Sequence, residues 1–466
     1  MKRFIPKLLT SALLTIACQS AVAATPNNVI LIIGDGMDDH QITIARNYLV
    51  GAQGRLSIDN LPVRSASQVL TVDNDDPQKP VYVADSANSG TSLATGQVTS
   101  RGRIATAAKT DKDIVTIVEL AQRAGLRTGI VTTASVTDAT PAAFYAHIDK
   151  RFCDNPAMMV DGMLLDRFKV NCKADTKANG GLGSISEQLA DSDVDIVLGG
   201  GMKNFNVAAE GVYETVLEQA KNNGFTVLTQ PNELEVITGE GKVLGLFAEK
   251  TLPTRLQGEN GRIAEAPERS WLNYIHHYLG SITLPPVMTC ESNPDYAAVP
   301  SLKMMTDAAI KQLDYNNDRG FLLVIESASI DKQSHRRNAC GSIGEVEQLN
   351  EAVDSAMAFA ENSPNTLVMV TADHGQAAQL IPQISMFTNK TMGNLPIASP
   401  GLVSRIITPE GGILGINYAT NEAFLEEHSG VNVPLFANEV GKPLIAPLVR
   451  EPDIFKITKE YVGLYQ

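Results

Sequence analysis

The sequence predicts an α/β protein, a doubly wound and mostly parallel central sheet flanked by helices. Two observations carry that expectation: five short segments are apolar almost throughout, and amphipathic helical patterns lie between them. A strand apolar on both faces belongs to a parallel sheet covered on both sides, and alternating strand and helix wind such a sheet. The strands, in order, are Asn28–Ile33, Thr128–Thr132, Val194–Leu198, Phe321–Ile325 and Thr366–Thr371. Ile114, Ile117, Val118 and Ala121 recur at helical spacing, and Gly125 stops that helix. Glu345 to Ala360 repeats the pattern with Val346, Leu349, Val353 and Ala356 inward. Two stretches break the rhythm and read as insertions. One is 256–286, which holds the single tryptophan, Trp271; the other is 377–423, rich in Gly, Pro, Asn and Thr.

Residues 1–24 read as a secretory signal peptide. Lys2, Arg3 and Lys7 begin it, Leu8 to Ala17 form an apolar run, and Ala21-Val22-Ala23 offers the cleavage site. The run is too short to span a bilayer, and nothing later is long and apolar enough to do so. Cys18 could accept a lipid, but Thr15 stands where a lipobox has Leu, which favours plain cleavage. The expectation is a periplasmic or secreted protein, 25–466 forming one domain, with no membrane contact after the leader is removed.

The chain carries 38 basic and 52 acidic residues, a net charge of −14, and loss of the leader removes three more cations. That balance argues against a nucleic-acid partner, whose phosphates need a basic surface. An acidic protein that handles an anion must neutralise it locally, and metal ions do so. Beyond the leader, Cys153, Cys172, Cys290 and Cys340 remain. An even number in an exported chain suggests two disulfides; three pairings are open, of which Cys153–Cys172 with Cys290–Cys340 closes the shortest loops.

The residues directly after the strands are chemically unusual. Beyond Asn28–Ile33 comes Gly34-Asp35-Gly36, and beyond Phe321–Ile325 come Glu326, Asp331, Lys332 and His335. Beyond Thr366–Thr371 comes Asp373-His374, and beyond Thr128–Thr132 a turn with Asp138 and Thr140. Ligands bind outside the carboxyl ends of such strands, where these residues converge. Burying that many carboxylates is costly unless cations neutralise them. Mixed His/Asp ligation suits zinc, whereas an all-oxygen set suits magnesium. Singly, each piece has a plainer reading as a turn, a helical ion pair or a helix cap, and Asp85-Ser86 in particular resembles an ordinary cap. Their joint occurrence points to a multi-metal hydrolytic site.

These motifs, Gly34-Asp35-Gly36-Met37, Asp85-Ser86-Ala87, Asp138-Ala139-Thr140-Pro141 with Arg151, Glu326 through His335, Thr371 through His374, and Glu427-His428-Ser429-Gly430, resemble the alkaline phosphatase family, in particular its bacterial periplasmic type. The resemblance implies an alkaline phosphatase fold and hydrolysis of small phosphate monoesters. It implies Ser86 as a nucleophile that becomes phosphoserine. It assigns Asp331, His335 and His428 to one zinc, Asp35, Asp373 and His374 to a second, and Asp35, Thr140 and Glu326 to magnesium. Arg151 matches the residue that grips phosphate oxygens, while Asp138 and Lys332 match groups that reach the magnesium and the phosphate through water. It further implies the local cysteine pairing and a homodimer. One departure is Gln376, where the family often has His; another is the Trp271 insertion. His40 and His147 read as structural, and His276 and His277 as surface or interface residues.

Rival readings fare less well. A sulfatase of the same superfamily needs Pro and Arg after the nucleophile, but Ala87, Asn88, Ser89 and Gly90 come after Ser86. A phosphodiesterase usually has Thr as nucleophile and lacks the magnesium set. A non-catalytic metal- or phosphate-binding protein has no need of Ser86 and Arg151.

Overall fold

The computed structural model describes residues 26–164, 167–276, 279–384 and 399–464. The predicted leader, His277 and the middle of the second insertion lie outside the described residues.

Ten strands form the main sheet: β1 (Asn28–Gly34), β2 (Val63–Gln68), β3 (Arg127–Ser135), β4 (Ile196–Gly200), β5 (Phe225–Leu228), β6 (Lys242–Leu246), β7 (Phe321–Ser327), β8 (Thr366–Ala372), β9 (Val433–Ala437) and β10 (Leu448–Arg450). Their spatial order is β10-β2-β9-β8-β1-β7-β3-β4-β6-β5. The five strands read from the sequence are the five consecutive central ones, all parallel. The antiparallel member is β9, paired to β8 and β2.

The sheet separates two cores. Ile30 and Ile32 face one, with Ile42 of helix α1 (Asp39–Leu49), Leu302 and Leu313 of α4 (Leu302–Asp314) and Val346, Leu349 and Val353 of α6 (Ala339–Asn362). Val29, Leu31 and Ile33 face the other, with Leu93 of α2 (Ser86–Thr95), Ile117 and Val118 of α3 (Ile117–Arg123) and Ile454 of α7 (Glu451–Tyr461). A short helix, α5 (Ser329–His335), leads from β7 towards α6. The expected first helix begins later than its apolar spacing suggested. Thr116 caps it in a reciprocal box with Glu119, so Ile114 packs from the preceding loop.

Both predicted insertions carry short elements. In 256–286, Glu268–Arg269 pairs with Ile282–Thr283 around the exposed helix Trp271–Ile275. In the second, Gln379–Ile381, Ile413–Tyr418 and Leu402–Ile407 make an antiparallel sheet. The Glu265–Val403 bridge joins the two insertions. Cysteines pair as Cys153–Cys172 and Cys290–Cys340, the local solution of the three. Among the described residues no helix is long and apolar enough to cross a membrane.

Candidate active site

Register places the site. In the parallel ladder Gly34 of β1 lies opposite Ser327 of β7 and Ala372 of β8. The next residues therefore emerge together at the carboxyl edge. The Asp35 N–H donates to Ser327 O at 3.1 Å, and the Gly36 N–H to Asp373 Oδ1 at 3.0 Å. Gly36 takes φ +67°, and a Cβ there would stand 3.1 Å from the Asp331 Cβ, so only glycine suits this close approach.

Asp35, Asp373 and His374 present their ligand atoms within 4.8 Å of one another, and so do Asp331, His335 and His428. In the first group His374 Nε2 lies 3.3 Å from Asp35 Oδ1 and 3.5 Å from Asp373 Oδ2. In the second, Asp331 lies 3.3 Å from both His335 Nε2 and His428 Nε2, which are 3.0 Å apart. The Nδ1 atoms of all three histidines point to backbone carbonyls, of Glu426 for His335, Ala84 for His428 and Gly375 for His374. An Nδ1–H that donates to a carbonyl leaves Nε2 with its lone pair facing inward, the tautomer that binds metal.

Glu326, at the end of β7, and Thr140, whose backbone packs against Gly90 of α2, are both buried. Glu326 accepts from the Thr132 hydroxyl. Thr140 Oγ1 and Asp373 Oδ2 are buried without any hydrogen-bond partner. Burial, reinforced by neighbouring carboxylates, pushes Glu326 up to about 8, Asp373 to about 6, and Asp35 well above the usual range. At Asp331 burial also acts upward, but His335 and His428 outweigh it and hold that carboxyl well below. Buried carboxylates in mutual repulsion, inward imidazole lone pairs and orphaned oxygens fit divalent cations as a donor set. A third acidic group, Asp149 and Asp175 beside Cys172, does not fit, because that sulfur is already in a disulfide.

Ser86 is the first residue of α2, capped by Asp85 in a reciprocal box with Asn88. Its Oγ lies 3.1 Å from His374 Nε2 and 3.5 Å from Asp35 Oδ1. Arg151 is held between two carboxylates, Nη1 at 3.2 Å from Asp85 and Nη2 at 3.2 Å from Asp138. Lys332 donates directly to Asp138. Against burial, Lys332 and Arg151 hold Asp138 far below the usual range. Gln376 donates to Asp331 Oδ1 at 2.6 Å.

Reasoning from sequence missed three supporting roles: Asp85 as an anchor for Arg151, Thr132 as the partner of Glu326, and buried Glu345, which Thr133 and Ser327 contact. Only Asp85 had a local signal, the Asp-x-x-Asn cap. His147 is buried against Glu119 and His40 sits in the first turn of α1; neither they nor exposed His276 joins the clusters.

A parallel sheet whose carboxyl edge gathers carboxylates, inward imidazoles, a serine in the first turn of a helix and a carboxylate-anchored arginine fits the class of metal-dependent hydrolases. Residues 26–402 match the alkaline phosphatase family. The chain is 37% identical to alkaline phosphatase of Escherichia coli K12 over 97% of its length and 89% of that protein. It is also 37% identical to streptomycin-6-phosphate phosphatase of Streptomyces griseus, covering 92% of this chain and 89% of that one. Alkaline phosphatase from Thermus thermophilus shares the fold, with TM-score 0.66 and 19% identity over 98% of this chain and 96% of its own. The chain belongs to the alkaline phosphatase family and is a phosphoric monoester hydrolase.

Proposed function

We propose that this chain hydrolyses small phosphate monoesters through a phosphoserine at Ser86. The observation that carries the reading is the placement of the Ser86 Oγ at a helix N-terminus, 3.1 Å from His374 Nε2 and beside Arg151's anchored fork. Asp331, His335 and His428 would hold one zinc ion, Asp35, Asp373 and His374 a second, and Asp35, Thr140 and Glu326 a magnesium ion. Bound there, the ions would lower the serine pKa, stabilise the leaving oxygen and neutralise the phosphoryl oxygens.

The chain's own residues do the rest. Arg151 presents a planar fork to two phosphoryl oxygens, and Asp85 and Asp138 fix its plane before the substrate arrives. The first N–H groups of α2 face the incoming anion. Ser86 Oγ then forms its bond to phosphorus as the bond to the alcohol oxygen breaks on the opposite side. In the second half water attacks phosphorus, the Ser86–phosphorus bond breaks and inorganic phosphate leaves. Lys332, paired to Asp138, supplies a further positive charge near those oxygens. We also read 1–24 as an export leader, 25–466 as one catalytic domain, and the molecule as a homodimer by family analogy.

Protein loaded with zinc and magnesium should release phosphate from monoesters far faster than from diesters, and rapid acid quenching with a labelled ester should trap label on Ser86. Ser86→Ala should lower kcat by about a thousandfold or more and abolish the trapped label. Most of the activity surviving that substitution would overturn the covalent route, and no phosphate from any monoester would overturn the enzyme reading.

A further inference from the structure

Beside Arg151 lies a cavity of about 480 Å³ that the displacement at phosphorus does not use. Its charged lining is Arg101, Arg103, Lys150 and Arg151 against Asp111 and Asp149. This excess of cations stands out on a chain of net charge −14. Three of the four are committed: Arg103 lies 2.5 Å from Asp111, Lys150 3.4 Å from Asp149, and Arg151 3.2 Å from Asp85 and Asp138. Arg101 is different. The carboxylate paired with it, Glu427, is 4.0 Å away, and both side chains are about half exposed, so that pair is weak.

The position of Arg101 is defined by its neighbours. The Gly102 N–H donates to both oxygens of Asp85, at 3.0 and 3.1 Å, and Gly102 O accepts from the Arg151 N–H at 2.8 Å. Glu427 immediately precedes His428. Arg101 therefore stands at the rim between the serine's helix cap and the Asp331–His335–His428 group. Ser86 lies with the other group, 3.1 Å from His374. In an in-line displacement the alcohol leaves on the side away from Ser86, which in the reading proposed above is the side of the Asp331–His335–His428 group, whose chain neighbour Glu427 pairs with Arg101.

We propose that Arg101 and this cavity form a subsite for a second anionic group carried on the alcohol portion of the ester, a carboxylate or a further phosphate. The preferred substrates are then monoesters whose leaving alcohol is itself an acid. The inference rests on the reading of Ser86 as nucleophile.

The test compares kcat/KM for 2-phosphoglycerate and glycerol 2-phosphate, which differ by one carboxylate on the alcohol. In the wild-type enzyme the ratio of the first to the second should fall as NaCl rises from about 0.02 to about 0.5 M, because a rim charge is screened. Arg101→Ala should lower the ratio about fivefold at low salt, Arg101→Glu more, and Arg101→Lys should retain over half of it. A wild-type ratio indifferent to salt, or a ratio within twofold of wild type in the Ala and Glu variants, overturns the subsite. Loss of both activities in the loaded wild-type enzyme would instead count against the phosphatase reading itself.

Discussion

Gln376 is two residues beyond His374 yet bonds to Asp331 of the other cluster, at 2.6 Å, while its carbonyl accepts from Ser429 beside His428. Its own Oε1 is occupied by the Ala377 N–H at 2.7 Å, so the amide cannot flip without losing both bonds. An uncharged donor thus fixes one oxygen of the Asp331 carboxylate. Gln376→Ala should weaken zinc binding at Asp331, His335 and His428 by about 10- to 100-fold, read by competition with a chromophoric chelator; an unchanged affinity would deny Gln376 that role. The primary constellation was legible in the sequence because Asp35, Glu326 and Asp373 stand just beyond apolar strands, whose ends are where such sheets bind ligands. Supporting residues were not legible. Asp85 and Arg151 are 66 residues apart, Thr132 and Glu326 194, and Thr133 and Glu345 212. Such contacts come from sheet order, which a linear pattern does not encode.

Among the elements, Glu345 of α6 accepts from Thr133 of β3 at 3.0 Å and Ser327 of β7 at 3.3 Å, joining a helix to two central strands beneath the site. Burial pushes this carboxyl from 4.5 up to about 7. The folded state then holds a proton that the unfolded state releases near 4.5, so the stability gained from this group is full below that pH and is lost as pH rises through about 7. The shift corresponds to about 3 kcal/mol. Glu345→Gln, which cannot ionise, should flatten the fall in melting temperature of metal-free protein between pH 5 and 8; a slope identical to wild type would place the proton elsewhere. Element legibility tracks burial. The central strands, apolar on both faces, announced themselves, whereas β2 (Val-Arg-Ser-Ala-Ser-Gln) is polar at alternate or better positions and β10 has three residues. Ile114 fits the helical period but lies outside α3, because the Thr116 cap is the stronger local signal.

For the whole molecule, the carboxylates crowded at one sheet edge lead to the prediction that divalent ions stabilise the folded chain over the unfolded one. Chelation should abolish activity and lower the melting temperature, and zinc with magnesium should restore both. At metal about 1,000-fold above Kd the gain is about 4 kcal/mol per site. A melting temperature indifferent to EDTA in an enzyme that was metal-loaded would mean that these residues hold no structural ion.

Strand β1 lies between β7 and β8, so it pairs with neighbours that begin at Phe321 and Thr366. During synthesis, β1 has no partner until over two-thirds of the chain exists. Loops of this size close slowly, and Asp35 and His428, from opposite ends of the sequence, meet only when they have closed. In a chain ordered this way the sheet closes around β1 late. Under the export reading proposed for 1–24, such a chain would still be threadable through a translocation pore, and Asp35 would meet Asp373 and His374 only after the late strands had emerged.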